Sequence, residues 1–219
     1  MVVVVVLVLV KVLVVIGMLL IVPFGLRLLD DPAAALARRA WPIGAAAGAV
    51  SLWLARGTVA TALATGYALA AAVLCAYALG RPARPRREWP AEIAVLTALI
   101  SPCVAANALV AERAGYPLFG FNLTLLALTV AQFHLAAFAA ALIAGLQTRI
   151  APGMLADAAA LTVPAGTMLV LIGFFTAGAI QLAGALVFAA GILTVWPPQW
   201  WAGATAGHIS ARRRGEPHA

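Results

Sequence analysis

The run Val2–Val22, VVVVVLVLVKVLVVIGMLLIV, carries a single charge, at Lys11. Its β-branched residues favour a strand by propensity. A lone strand, however, leaves its backbone N–H and C=O groups unpaired in lipid, whereas a helix satisfies them within itself. The run therefore reads as the core of a membrane helix over 2–28, and the rest of the chain repeats the pattern. Further apolar segments cover 42–55, 58–79, 90–111, 122–147, 154–176 and 179–196, parted by Arg-rich or Gly/Pro-rich breaks. The sequence predicts an all-α, seven-transmembrane-helix bundle forming one integral membrane domain over residues 1–219.

Composition agrees. The chain is 65% hydrophobic and 10% charged, and its mean hydropathy is +1.06. A soluble domain of this length cannot bury so much apolar surface. The net charge of +7 is not read as a nucleic-acid footprint, because the basic residues flank apolar spans, where they orient a membrane protein. With the 81–87 loop in the cytoplasm, Arg27, Arg38, Arg39, Arg81, Arg84, Arg86, Arg87, Arg149, Arg212, Arg213 and Arg214 fall inside. Only Lys11, Arg56 and Arg113 fall outside or within a span. This asymmetry predicts the N-terminus outside and the C-terminus cytoplasmic, in a multi-pass protein of the cytoplasmic membrane. Trp41, Trp89, Trp196, Trp200 and Trp201 are expected as an aromatic belt at the cytoplasmic boundary. The first span lacks a basic n-region and an A-x-A site, so it is expected to be a retained helix rather than a signal peptide.

Asp31-Pro32 has the form of an N-cap followed by a first-turn proline. Pro23, Pro102 and Pro164 are expected to kink their helices. Gly44-Ala-Ala-Ala-Gly48 matches G-x-x-x-G, for which internal packing is favoured over a dimer face. Cys75 and Cys103 lie in separate spans and imply neither a disulfide framework nor a metal site.

Function has to come from polar groups inside the spans, where ionisable residues are costly. Glu92 and Asp157 each lie near a helix start, where the dipole also favours a carboxylate. Glu112, beside Arg113, is expected to form a solvated pair, and Lys11 to snorkel. His134 lies mid-span and needs a partner or a wet cavity. Gln132, two residues earlier, points about 200° away from it on an α-helix. Asn107, Asn122, Thr129 and Gln181 are expected to bond between helices. Zinc motifs, a Walker A loop, the G-x-S-x-G elbow and Asp-rich diphosphate-binding runs do not occur in the sequence. No metal and no cofactor is expected.

Pro23-Phe-Gly-Leu-Arg27, Trp89-Pro-Ala-Glu92, Gly115-Tyr-Pro-Leu-Phe-Gly-Phe121 and Leu128-Thr-Val-Ala-Gln-Phe-His-Leu-Ala-Ala-Phe138 resemble the bacterial YndJ-like membrane proteins. The resemblance is strongest over 89–146. Where that family's pattern carries two histidines in this helix, this chain keeps His134 and has Gln132 at the first position. In size and helix number the chain also resembles the small actinobacterial membrane-bound class II terpene cyclases of indole- and diketopiperazine-terpenoid pathways. That second resemblance implies protonation of a lipophilic prenylated substrate, farnesyl above all, and its cyclisation through carbocations. The proton donor would be Glu92 or Asp157, kept protonated by a dry pocket, with His134 and Gln132 supporting the site. Asn107 and the rings of Trp53, Tyr67, Tyr77, Phe133, Phe138, Phe174 and Phe175 would bind substrate and face the cations. The alternative is a non-enzymatic small-solute transporter or membrane sensor. The sequence leaves the oligomeric state open.

Overall fold

A computed structural model describes residues 2–29, 31–82 and 84–195. Among these, all regular structure is helical: α1 (Val2–Ile16), α2 (Val22–Leu28), α3 (Ala35–Ser51), α4 (Thr58–Leu79), α5 (Trp89–Ala114), α6 (Leu123–Gln132), α7 (Ala141–Ile150), α8 (Met154–Phe175) and α9 (Gly178–Val195). A π-helical stretch, Gly17–Ile21, joins α1 to α2, and a second, Phe133–Ala140, joins α6 to α7. Each of these pairs makes one continuous rod, giving seven rods in all. Among the described residues, six helices are long and apolar enough to cross a membrane: Val5–Leu28, Thr58–Leu79, Arg86–Ala114, Leu123–Ile150, Met154–Phe175 and Gly178–Val195.

The helix bounds differ most from the expected segments at the second. The second expected span, 42–55, is displaced: α3 starts at Ala35 and ends at Ser51. It falls short of the six because it has 17 residues and carries Arg38 and Arg39. Pro42 lies inside it, where the ring removes a single backbone donor. Pro23, expected to kink its helix, lies in the first turn of α2, directly after the π stretch. The helices α5 and α8 run on through Pro102 and Pro164.

The rods end where the sequence permits. Asp31 caps the turn before α3, its Oδ1 accepting from the Ala33 N–H at 2.9 Å. Asn122 caps α6 through the Leu125 N–H at 2.8 Å. Gly115 closes α5 at φ 69°, a left-handed conformation that glycine adopts without steric cost. The Tyr116 N–H then reaches back to the Ala111 carbonyl at 2.9 Å.

Close packing depends on small residues. A Cβ on Gly48 would come within 2.9 Å of Tyr67 Cβ, and one on Gly44 would strike Ala70. The G-x-x-x-G sequence therefore seats α3 on α4, the internal packing favoured above. A Cβ on Gly184 would lie 2.5 Å from the Val170 backbone nitrogen, so α9 lies directly against the backbone of α8. Trp41 departs from the belt reading. It is fully buried and donates its indole N–H to the Met18 carbonyl, in the first π stretch, at 2.8 Å. Trp89 is half exposed and bonds the Arg84 carbonyl, as an interfacial ring would. Trp196, Trp200, Trp201 and Arg212 to Arg214 lie outside the described residues.

Candidate functional site

The rods run between two charged ends, with one polar node midway. At one end, Arg81 binds Glu92 in a fork: Nε donates to Oε1 at 2.6 Å and Nη2 to Oε2 at 3.2 Å. Arg149, at the end of α7, adds a bond to Oε2 at 3.3 Å. The Nη1 of Arg81 also donates to Asp31 at 3.1 Å and to the Tyr77 oxygen at 2.6 Å. The Tyr77 hydroxyl in turn donates to Asp31 at 2.7 Å. One guanidinium thus ties together the entry to α3, the end of α4 and the start of α5. Its bond to Glu92 raises the Arg81 pKa further above the ordinary value.

The Tyr77 hydroxyl is the main cause holding the Asp31 carboxyl below its usual value of 3.8, aided by the Ala33 N–H and by Arg81 and Arg84 against the opposing effect of burial. Because the folded value is lowered, the contribution to stability is complete above the unfolded value and is lost as pH falls through the folded one. Amide exchange at Ala33 and Ala34 is expected to stay slow down to that carboxylate range and to quicken only below it. In Asp31→Ala it should be fast at every pH; equal rates in the two proteins would refute the role given to this cap.

The midpoint node is His134, on the second π stretch. It is fully buried. Its Nδ1 lies 2.7 Å from the Val130 carbonyl. A carbonyl only accepts, so Nδ1 carries the hydrogen, and Nε2 accepts from the Tyr67 hydroxyl 2.7 Å away. Trp41 packs edge-on to the Tyr67 ring at 5.6 Å. A Cβ on Gly17 would come within 2.6 Å of His134 Cβ, so the two π stretches meet here. Both ring nitrogens are engaged. Gln132 faces elsewhere, as its angular offset predicts: with Phe133, Thr167 and Phe188 it lines a small separate cavity of about 110 Å³.

At the opposite end, Glu112 is 2% exposed. Arg56 donates to its Oε1 through Nε at 3.0 Å and Nη2 at 2.8 Å. Arg113 donates to both of its oxygens. Nη1 of Arg113 also closes the end of α3, bonding the Ser51 and Leu54 carbonyls at 3.1 and 3.2 Å. The solvated Glu112–Arg113 pair expected above is in fact buried, because the 52–57 turn folds over it. Beside it opens a cavity of about 360 Å³. Its walls are aliphatic: Leu7, Val10 and Val14 from α1, Leu52 and Leu54 after α3, Leu109 from α5, and Ala127 and Val130 from α6. Lys11, Arg56, Glu112, Arg113 and Thr124 supply its polar edge. On the outer side it reaches Leu7 and Val8, both exposed on the bundle surface.

The other residues singled out in the sequence are dispersed. Asp157 borders a groove of about 890 Å³ at the Arg81 end, with Arg84, Arg87 and Arg149. Asn107 is exposed and bonds the Cys103 carbonyl of its own helix at 2.8 Å. Trp53 is exposed beneath the Lys11 ammonium, 5.6 Å from the ring centre. Phe138 packs against Gly25. Phe174 and Phe175 form an edge-to-face cluster with Phe119 and Phe121. Among the described residues lining the 360 Å³ cavity none is aromatic. Its polar edge was visible in the sequence only as two interruptions of apolar runs, at Lys11 and at Glu112-Arg113. Three helices and a turn had to assemble before these became neighbours. Among the described residues no group of three or more His, Cys, Asp or Glu side chains is placed to hold a metal.

A family model described as YndJ-like protein matches residues 12–213. No curated protein and no solved structure matches the chain.

Proposed function

The chain belongs to the YndJ-like protein family, and we propose that it is a non-enzymatic membrane protein that takes a lipid-like molecule from the bilayer into the cavity between α1, α5 and α6. The observation that carries this reading is the cavity itself: about 360 Å³ with aliphatic walls, reaching the bundle surface at Leu7 and Val8. Ligand pockets that exclude water and present a few polar groups have this character.

The proposal includes a seventh crossing by α3. The turn that leads into it is capped by Asp31 at the Arg81 end, and its last carbonyl is held by Arg113 at the other end. Its 17 residues rise about 26 Å, close to the thickness of the hydrocarbon core. With seven crossings, the excess of arginines at the Arg81 end supports a cytoplasmic position for that end, with the cavity in the outer half of the cytoplasmic membrane.

The cyclase reading asks for a protonated acid facing aromatic rings. Glu92 is bound by two guanidiniums, and Asp157 borders the groove at the opposite end from the cavity. The binding reading is therefore the one the geometry favours.

Native mass spectrometry of the protein released from nanodiscs tests it. One retained lipid is expected on the wild type, and none on Ala127→Trp, whose indole would fill the cavity. Membranes given a farnesylated indole in heavy water should return it unchanged. Equal lipid retention by the two proteins, or a cyclic isomer carrying one new deuterium, would overturn the proposal.

A further inference from the structure

Three cationic side chains but one carboxylate border the aliphatic cavity: Lys11, Arg56 and Arg113 against Glu112. Glu112 is already saturated, with Arg56 on Oε1 and Arg113 on both oxygens. Arg113 is spent as well, since it also holds the Ser51 and Leu54 carbonyls. Arg56 is different. It uses Nε and Nη2 on Glu112, and its side chain is 50% exposed. Lys11 differs most. Among the described residues no carboxylate lies within salt-bridge distance of it, and its one charge contact is the face of Trp53. The cavity edge therefore carries two positive charges beyond what Glu112 balances.

Uncompensated charge at an apolar wall inside a membrane is costly, and it is retained where it meets an opposite charge. Lys11 is placed to meet one. It shares the cavity-lining stripe of α1 with Leu7 and Val14, one helical turn to either side, so its stem lies along the wall while its head reaches the 52–57 turn. Thr124 adds a hydroxyl at the same edge.

We infer that the cavity selects an anionic amphiphile, whose acyl chain lies along Val10, Val14 and Val130 and whose phosphate or carboxylate sits between Lys11 and Arg56. This rests on the lipid-binding reading above and adds the charge of the headgroup to it. A phosphate diester from a phospholipid and a fatty-acid carboxylate present the same negative oxygens, so the site commits to the anion and not to its source.

The test compares three probes on the full-length protein in neutral detergent: phosphatidylglycerol, oleate and phosphatidylcholine, each titrated and read by native mass spectrometry. The wild type should bind at least one of the two anions more tightly than phosphatidylcholine, and whichever binds tighter identifies the headgroup chemistry. Lys11→Gln should weaken anion binding about fivefold, the usual worth of one basic side chain near an anionic lipid, and leave phosphatidylcholine unchanged. Lys11→Arg should restore it. Equal affinity for all three probes in the wild type, or a Lys11→Gln that weakens every probe alike, would overturn the inference while leaving the lipid-binding reading standing. That reading fails separately, if Ala127→Trp retains every probe.

Discussion

Glu112→Gln is expected to destabilise the fold by about 3 to 5 kcal/mol, the cost of breaking a buried ion pair by removing one partner. The substitution keeps the shape of the side chain and removes only its charge. Two guanidiniums then face one neutral amide, whose NH2 group turns a donor toward their donors where Glu112 offered a second acceptor oxygen. Among the described residues Arg113 has no second carboxylate to turn to: its side chain is 5% exposed and it points inward at the Ser51 and Leu54 carbonyls. Its own carbonyl accepts the Gly57 N–H at 3.1 Å. The same residue therefore fixes both the end of α3 and the entry to α4, and the loss should spread through the 52–57 turn. Arg56→Gln is the control. With half of that side chain exposed, its pair should be worth about 1 kcal/mol or less. Denaturant unfolding in mixed micelles, followed by tryptophan fluorescence, reads both variants. Equal losses, or a larger loss from Arg56→Gln, would mean that Glu112 is not the keystone of this end.

The contrast between that cluster and the rest of the chain shows where the sequence was readable. Helix limits were, because apolar runs end at charges, prolines and glycines: α4 is Thr58–Leu79 as expected, and the break between α8 and α9 falls just before Gly178. The Asp31 cap was readable too, being a purely local interaction. Lateral arrangement was not. Helices such as α8 and α9 are apolar on every side, so their sequences carry little information on which face meets a neighbour. The Arg56–Glu112 contact joins residues 56 apart in the chain, and Tyr67–His134 joins residues 67 apart. Neither leaves a local pattern. Trp41 was misread for the same reason: a tryptophan near a basic run suggests an interface, and only the packing of α3 beside the first π stretch places its indole against the Met18 carbonyl. Of the residues weighed as catalytic, Glu92 is held by two guanidiniums and His134 is fully enclosed.

That enclosure makes His134→Ala the second large effect, expected at about 3 kcal/mol or more. The loss has two components of different size. Interhelical hydrogen bonds in a membrane are worth roughly 0.6 kcal/mol on average and seldom more than about 1.7, so Tyr67→Phe, which removes only the hydroxyl, should cost about 1 kcal/mol. Removing the imidazole also leaves a void where Gly17, Tyr67 and the His134 ring now touch, and large-to-small changes at such sites cost several kcal/mol. The two stretches that meet there are both π-helical, and such turns occur mostly as short interruptions of α-helix. In the double variant Tyr67→Phe/His134→Ala, the hydroxyl that is removed had only the Pro102 carbonyl, 3.5 Å away, left to accept from it, so the double loss should fall below the sum of the two single losses. Unfolding in bicelles with a denaturing detergent measures all three. A double variant whose loss equals the sum of the single losses would show that Tyr67 and His134 act independently, and the node would then be two separate packing contacts.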